Sequence, residues 1–141
     1  DISSKIGGQS VVVILDVKRN LFGKYEVFTH NGKVRTNKTP IELAKLAVKF
    51  GAGEVVINSI DLDGAMSGYD LILAKNLRNA VNVPISIMGG AANLNDMKNL
   101  FNTCGVVGAI AGSLFVFKGP LKAVLINYPY GIEKEDLVVN N

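Results

Sequence analysis

With 141 residues, 48% of them apolar, and a net charge of +3, the chain is long enough to bury the core of one domain and too hydrophobic for a disordered tail. No apolar run approaches the roughly 20 residues of a membrane helix, and the opening Asp1-Ile2-Ser3-Ser4-Lys5 lacks the basic-then-apolar layout of a signal peptide, so a soluble, cytoplasmic protein without membrane contact is expected. The basic excess lies before residue 41, where seven Lys/Arg face three Asp/Glu; that is too mild for nucleic acid but suits a phosphorylated small substrate.

A βα pattern repeats four times along the chain. Residues 11–15, Val-Val-Val-Ile-Leu, form a β-branched run of the kind expected of a parallel strand covered on both faces, and Asp16 follows at once. Lys24 to His30 and Lys33 to Thr36 flank Asn31-Gly32, a strong hairpin signal because both turn residues tolerate positive φ. A hairpin inserted in the first βα loop falls where α/β barrels carry function. The next helix opens at Thr39-Pro40-Ile41-Glu42, which reads as an N-cap, a proline at the first helical position and a capping-box glutamate.

A second strand over 54–59 leads to a helix over about 70–80, and a third over 84–88 to a helix over about 93–103 capped by Asn93 and Asp96. The fourth strand, 106–111, precedes a short turn of helix at 113–117 and a last helix over about 120–126. Residues 127–141 turn polar and read as a frayed tail. Cys104, the single cysteine, rules out an internal disulfide and reads as a small buried hydrophobe.

Three strand ends run straight into loops built for a ligand: Asp61-Leu62-Asp63-Gly64, Gly89-Gly90-Ala91-Ala92 and Gly112-Ser113. In parallel α/β folds ligands sit at the carboxyl ends of strands, so these loops read as one composite site. Glycines there allow close backbone approach, and free N–H groups favour an anion. Asp16, partly dehydrated at a strand end, is suited to proton transfer; the alternative is a cap or a salt bridge to Lys18 or Arg19. Asp61 reads as a turn-stabilising residue and His30 as a solvated turn residue. Lys18, Arg19, Lys24, Lys33, Arg35 and Lys38 are more simply a solvated hairpin face than a lid. No metal-ligand or dinucleotide spacing occurs, so no cofactor is expected. Four βα units fit either half of a barrel or an open doubly wound sheet, and spacing does not separate the two.

The run from Gly51 through Ile60-Asp61-Leu62-Asp63-Gly64-Ala65-Met66-Ser67-Gly68-Tyr69-Asp70, with Gly89-Gly90-Ala91, Ala111-Gly112-Ser113-Leu114-Phe115 and Val13-Ile14-Leu15-Asp16-Val17-Lys18-Arg19, resembles the cyclase subunit of imidazole glycerol phosphate synthase. The resemblance implies the second half of a (β/α)8 TIM barrel over residues 1–127, with the hairpin after its first strand and a polar C-terminal tail over 128–141. It implies a lyase of histidine biosynthesis that uses ammonia from a glutaminase partner. Its substrate would be a phosphoribulosyl-formimino carboxamide nucleotide, and its products imidazole glycerol phosphate and the aminoimidazole carboxamide nucleotide. Asp16 would be catalytic; Asp63, Gly64, Gly89, Gly90, Gly112 and Ser113 would bind substrate phosphate; Glu54, at the opposite end of its strand, would gate ammonia.

Leu21 to Gly32 and Leu125-Ile126-Asn127-Tyr128-Pro129 also look like paralogues associated with amidation of a surface-polysaccharide sugar. Asn58, Leu62, Met88 and Ala92 depart from the histidine-pathway pattern in the same direction. A non-catalytic half-barrel that docks a glutaminase is a further alternative. The absent first half, or a second copy of the chain, is expected as a partner, because four strands leave two open edges.

Overall fold

The structure is a computed structural model and describes residues 2–137. A short helix α1 (Ile2–Ile6) and a single 3-10 turn (Gly8–Ser10) lead into β1 (Val12–Arg19). The hairpin β2 (Tyr25–Thr29) and β3 (Val34–Arg35) follows, then α2 (Pro40–Lys49) and β4 (Glu54–Ser59). The next units are α3 (Leu71–Ala80), β5 (Ile85–Met88), α4 (Leu94–Cys104) and β6 (Gly108–Ile110). The chain ends in α5 (Ser113–Val116), β7 (Phe117–Lys118), β8 (Ala123–Val124) and α6 (Gly131–Glu135).

The main sheet runs β3-β2-β1-β4-β5-β6. Its four parallel strands stand in chain order without a switch, and α2, α3 and α4 contact one another as a single layer. Strand parity shows which face that layer covers. Leu15, Val17, Val55, Ile57, Ile85 and Ile87 join Leu73, Leu77, Met97 and Leu100 in one buried cluster. Val12, Ile14 and Asp16 point the other way and align with Glu54, Val56 and Asn58 on β4; Ser86 and Met88 continue that row, with Gly108 and Ile110 beside them. No described helix covers this second face, and Val12 and Ile14 stand 49% and 58% exposed. Helices on one face of a singly wound parallel sheet make half of a (β/α)8 barrel rather than a doubly wound sheet.

The expected caps form. Thr39 and Glu42 satisfy each other's backbone N–H groups at the start of α2, and Asn93 and Asp96 do the same at α4. Asp70 caps α3 by accepting from the Leu73 N–H at 2.9 Å. The hairpin turn sits where Asn31-Gly32 predicts, although His30, Asn31 and Gly32 all take positive φ and Lys33 N–H closes back on the Thr29 carbonyl.

Two expectations are corrected. β1 does not stop before Asp16: it continues to Arg19, because Asp16 to Arg19 pair antiparallel with β2. Asp16 therefore lies within the strand, one residue short of the end of its parallel ladder with β4. The helix expected over 120–126 is a hairpin, β7 with β8, in which Gly119 and Lys122 take positive φ and Phe117 pairs with Val124. β-Branched Val124 and Ile126 after a proline favour that pairing over a short isolated helix. Of the segment expected as a tail, the described part includes α6, in which Glu133 accepts from the N–H of Tyr130, the residue before the helix, at 2.8 Å; residues 138–141 lie outside the described residues. Tyr128 rests against Phe115, ring centroids 5.1 Å apart.

Candidate functional site

The open face carries the candidate acidic side chains, Asp16 and Glu54. Asp16 is half-buried and its Oδ1 accepts from Asn58 Nδ2 at 2.9 Å across the β1–β4 ladder. Neither Lys18 nor Arg19 pairs with it. Lys18 Nζ stands 5.2 Å from the centre of the Phe28 ring, and Arg19 lies over Tyr25 and donates to its hydroxyl. The salt-bridge alternative for Asp16 is therefore absent among the described residues.

At the other end of the same face Glu54 accepts from the Ser86 hydroxyl at 2.6 Å. Gly108 opposite has no room for a Cβ, which would overlap the Ser86 hydroxyl. The acid thus points along the open face at the amino-terminal end of β4, and no described cation pairs with it.

At the carboxyl ends of the strands one cleft of about 150 Å³ is lined by Asp63, Gly64, Gly89, Gly90, Gly112 and Ser113, with Met88 and Ile110 as its apolar wall; a second, of about 200 Å³, lies between the end of β1 and the Asp61 loop, with Lys18, Arg19 and Tyr25 in its lining. All six residues expected to bind phosphate meet in the first. Among the described residues the backbone N–H groups of Gly64, Gly90, Gly112 and Ser113 have no protein acceptor, and unpaired N–H groups facing one concavity are the makings of an anion site.

The glycines reach this arrangement for different reasons. Gly90 has φ 101° and its carbonyl accepts from Gly68 N–H at 2.7 Å, so a side chain there would strike the Gly68 backbone. Gly112 has an ordinary φ of −114° and open space around it. Packing accounts for the first glycine and not for the second. Asp63 is exposed on the loop rim, held by its N–H to the Ser59 carbonyl at 3.0 Å.

Asp61 does not stabilise its own turn. Its Oδ2 accepts from the Arg19 backbone N–H at 2.9 Å, tying the ligand loop to the end of β1. Tyr25 completes that tie from the hairpin by donating to Asp70 at 2.9 Å. Burial, and then the Asp70 carboxylate, push the Tyr25 hydroxyl above its ordinary range. His30 is exposed and touches only the Thr29 hydroxyl, at 3.1 Å. Cys104 is buried, and that burial raises its thiol. The hairpin cations do not line the glycine cleft, and no described cluster of His, Cys, Asp or Glu has metal-ligand geometry.

Sequence reasoning missed Asn58 as the partner of Asp16 and Ser86 as the partner of Glu54. Only strand register puts each pair side by side, and parity along correctly aligned strands would have found them.

Residues 1–121 match the family described as "Histidine biosynthesis protein". The chain belongs to this family. A Leptospira interrogans protein named "Putative imidazole glycerol phosphate synthase subunit HisF" is 51% identical over 137 residues, 96% of this chain and 54% of its own length. A Vibrio vulnificus protein of similar name is 48% identical over 95% of this chain and 52% of its own length. The imidazole glycerol phosphate synthase subunit HisF of Alkaliphilus metalliredigens is 38% identical over 82% of the chain and 46% of its own length. The chain spans about half the length of the relatives it matches. No helix among the described residues is long and apolar enough to cross a membrane.

Proposed function

We propose that the chain is the second half of an ammonia-dependent cyclase of the imidazole glycerol phosphate synthase type. In this reading Asp16 is the general acid and base of its half of the barrel. The backbone N–H groups of Gly64, Gly89, Gly90 and Gly112, with Ser113, hold one substrate phosphate, and Asp63 orients the loop or meets a substrate hydroxyl. Ammonia from a glutaminase partner enters past Glu54 at the amino-terminal end of the strands. The uncovered face, with Val12, Ile14 and Ile110 exposed, accepts the other half of the barrel.

The observation that carries the reading is that one half-barrel bears, toward the carboxyl ends of its strands, both an oriented carboxylate and a cleft lined by residues with unpaired N–H groups. That pairing suits proton transfer on an anchored phosphorylated substrate. The test is turnover with ammonium salt once the chain is joined to the half its relatives carry. Asp16→Asn keeps the shape and removes the proton-transfer group, so turnover should fall by about 10²–10⁴-fold with substrate binding little changed. Loss of less than tenfold would move catalysis off Asp16.

The second reading is the sugar-amidation paralogue. Met88, a wall of the cleft, and Asn58, beside Asp16, favour it, since each departs from the histidine-pathway pattern at the ligand face. Growth of a cyclase-deficient histidine auxotroph on the completed barrel separates the two: rescue supports the first, and an ammonia-dependent enzyme that fails to rescue supports the second. Phosphate binding with no turnover on either substrate would leave a non-catalytic half-barrel.

A further inference from the structure

The described residues hold two buried side-chain polar atoms without a partner, Asn58 Oδ1 and Ser59 Oγ, and they are consecutive at the carboxyl end of β4. Buried polar groups are nearly always satisfied, so an orphan at a functional end of a sheet marks a residue kept for something other than stability. For Ser59, which lies on the helix side, the structure offers no account. For Asn58 it does.

Asn58 sits directly across the parallel ladder from Asp16, and its Nδ2 donates to Asp16 Oδ1 at 2.9 Å. The amide has one orientation open to it, because turning it over would set two acceptor oxygens face to face. Donating to the carboxylate therefore leaves Oδ1 stranded in the sheet. Asn58 is also the single hydrogen-bond partner of the Asp16 side chain among the described residues, since Lys18 and Arg19 are engaged on Phe28 and Tyr25.

We propose that Asn58 is a positioning residue that fixes the Asp16 carboxylate for proton transfer. The proposal rests on the reading of Asp16 as the proton-transfer group. A purely structural asparagine would lower stability when removed. A positioning asparagine acts on the geometry instead: its apolar replacement removes the stranded oxygen and the hydrogen bond to Asp16 together, so the two effects on stability offset, and leaves the carboxylate free to turn.

The experiment compares three variants in the completed barrel, each measured for thermal midpoint and for kcat and KM with ammonium salt. Asn58→Leu should unfold close to the parent temperature while kcat drops about a hundredfold, the scale of a misplaced catalytic group, and KM changes by less than about threefold. Asn58→Thr, which keeps a hydroxyl donor, should recover kcat to within about tenfold of the parent. Asp16→Asn, run alongside, tests the underlying reading. If it abolishes turnover while Asn58→Leu turns over like the parent, the positioning role is wrong and the catalytic aspartate stands. If Asp16→Asn itself turns over normally, or the parent does not turn over at all, the reading fails and the inference with it. A Thr variant no better than Leu would also overturn the proposal.

Discussion

One sheet presents two faces of opposite character. Toward the helices, Val55, Ile57, Ile85 and Ile87 are at most 2% exposed and belong to one buried hydrophobic cluster with Leu73, Leu77 and Leu100. Toward the open side, the row holds exposed Val12 and Ile14 at the edge strand, buried Val56 and Ser86 further in, and the polar groups Asp16, Glu54 and Asn58. The first face is finished within this chain. The second holds the candidate site residues together with exposed apolar surface on β1, so the side chains that carry folding energy and those proposed to carry chemistry lie on opposite sides of the strands.

The largest expected effect breaks the finished face. Ile57→Ala removes a fully buried side chain and should destabilise the chain by about 2–5 kcal/mol in denaturant titration. Ile14→Ala, on the open face of the same sheet, should cost the isolated chain less than about 0.5 kcal/mol. Joined to the other half of the barrel, Ile14 becomes interior and the same change should rise to the scale of a core truncation. Equal costs for the two substitutions in the isolated chain would mean that the open face is already covered, most simply by a second copy, and sedimentation against concentration would reveal it.

The next effect lies on the seam between the layers. Tyr69 is buried, donates to the Ile110 carbonyl at 3.1 Å, and is pushed up to about 12, first by burial and then by the Asp96 carboxylate. A raised value means that the folded state prefers the neutral phenol. Stability is therefore intact below the ordinary value of 10.0 and falls as pH rises from there toward 12, by roughly 3 kcal/mol in all. Tyr69→Phe should lose about 1 kcal/mol at neutral pH through the unpaired carbonyl and flatten this alkaline fall. An unchanged alkaline transition in Tyr69→Phe would assign it to another group.

What the sequence disclosed divides along similar lines. Caps and turns are local chemistry, so Thr39-Pro40-Ile41-Glu42, Asn93 with Asp96, and Asn31-Gly32 could be read directly, and β4 falls on its expected residues. The glycine loops were recognisable one at a time, and parallel topology supplied the reason they should converge. Long-range pairing was invisible: β2 carries β1 past Asp16, and β7 with β8 replaces a helix. The covering of one face and not the other was equally hidden, because a continuous apolar strand such as residues 11–15 reads the same whether its second face meets helices or the interior of a barrel.

At the cleft the comparison sharpens, because fold and ligand make separable demands on two glycines. Gly112→Asp places a carboxylate into open space at an ordinary φ. Its thermal midpoint should stay near that of the parent while affinity for inorganic phosphate falls by about tenfold or more, from charge placed beside the anion. Gly90→Ala should instead lower stability, since its Cβ would meet the Gly68 backbone at positive φ. Unchanged phosphate affinity in Gly112→Asp would move the anion site away from the cleft.

The smallest expected effect belongs to the helix layer alone. Thr39 Oγ1 accepts from Glu42 N–H at 3.2 Å while the Glu42 carboxylate accepts from Thr39 N–H at 2.8 Å. Thr39→Ala removes the cap and should cost about 1 kcal/mol. The Thr39 hydroxyl, then its backbone N–H, hold the Glu42 carboxyl below the usual glutamate value, so the folded state prefers the charged form. The box is therefore complete above that usual value and weakens as pH falls through the lowered one. Since the box lies in α2 and touches no residue of the open face, Thr39→Ala should shift the unfolding midpoint and its acid dependence without altering phosphate affinity. A matching loss of phosphate affinity would show the two faces of the half-barrel to be coupled rather than divided.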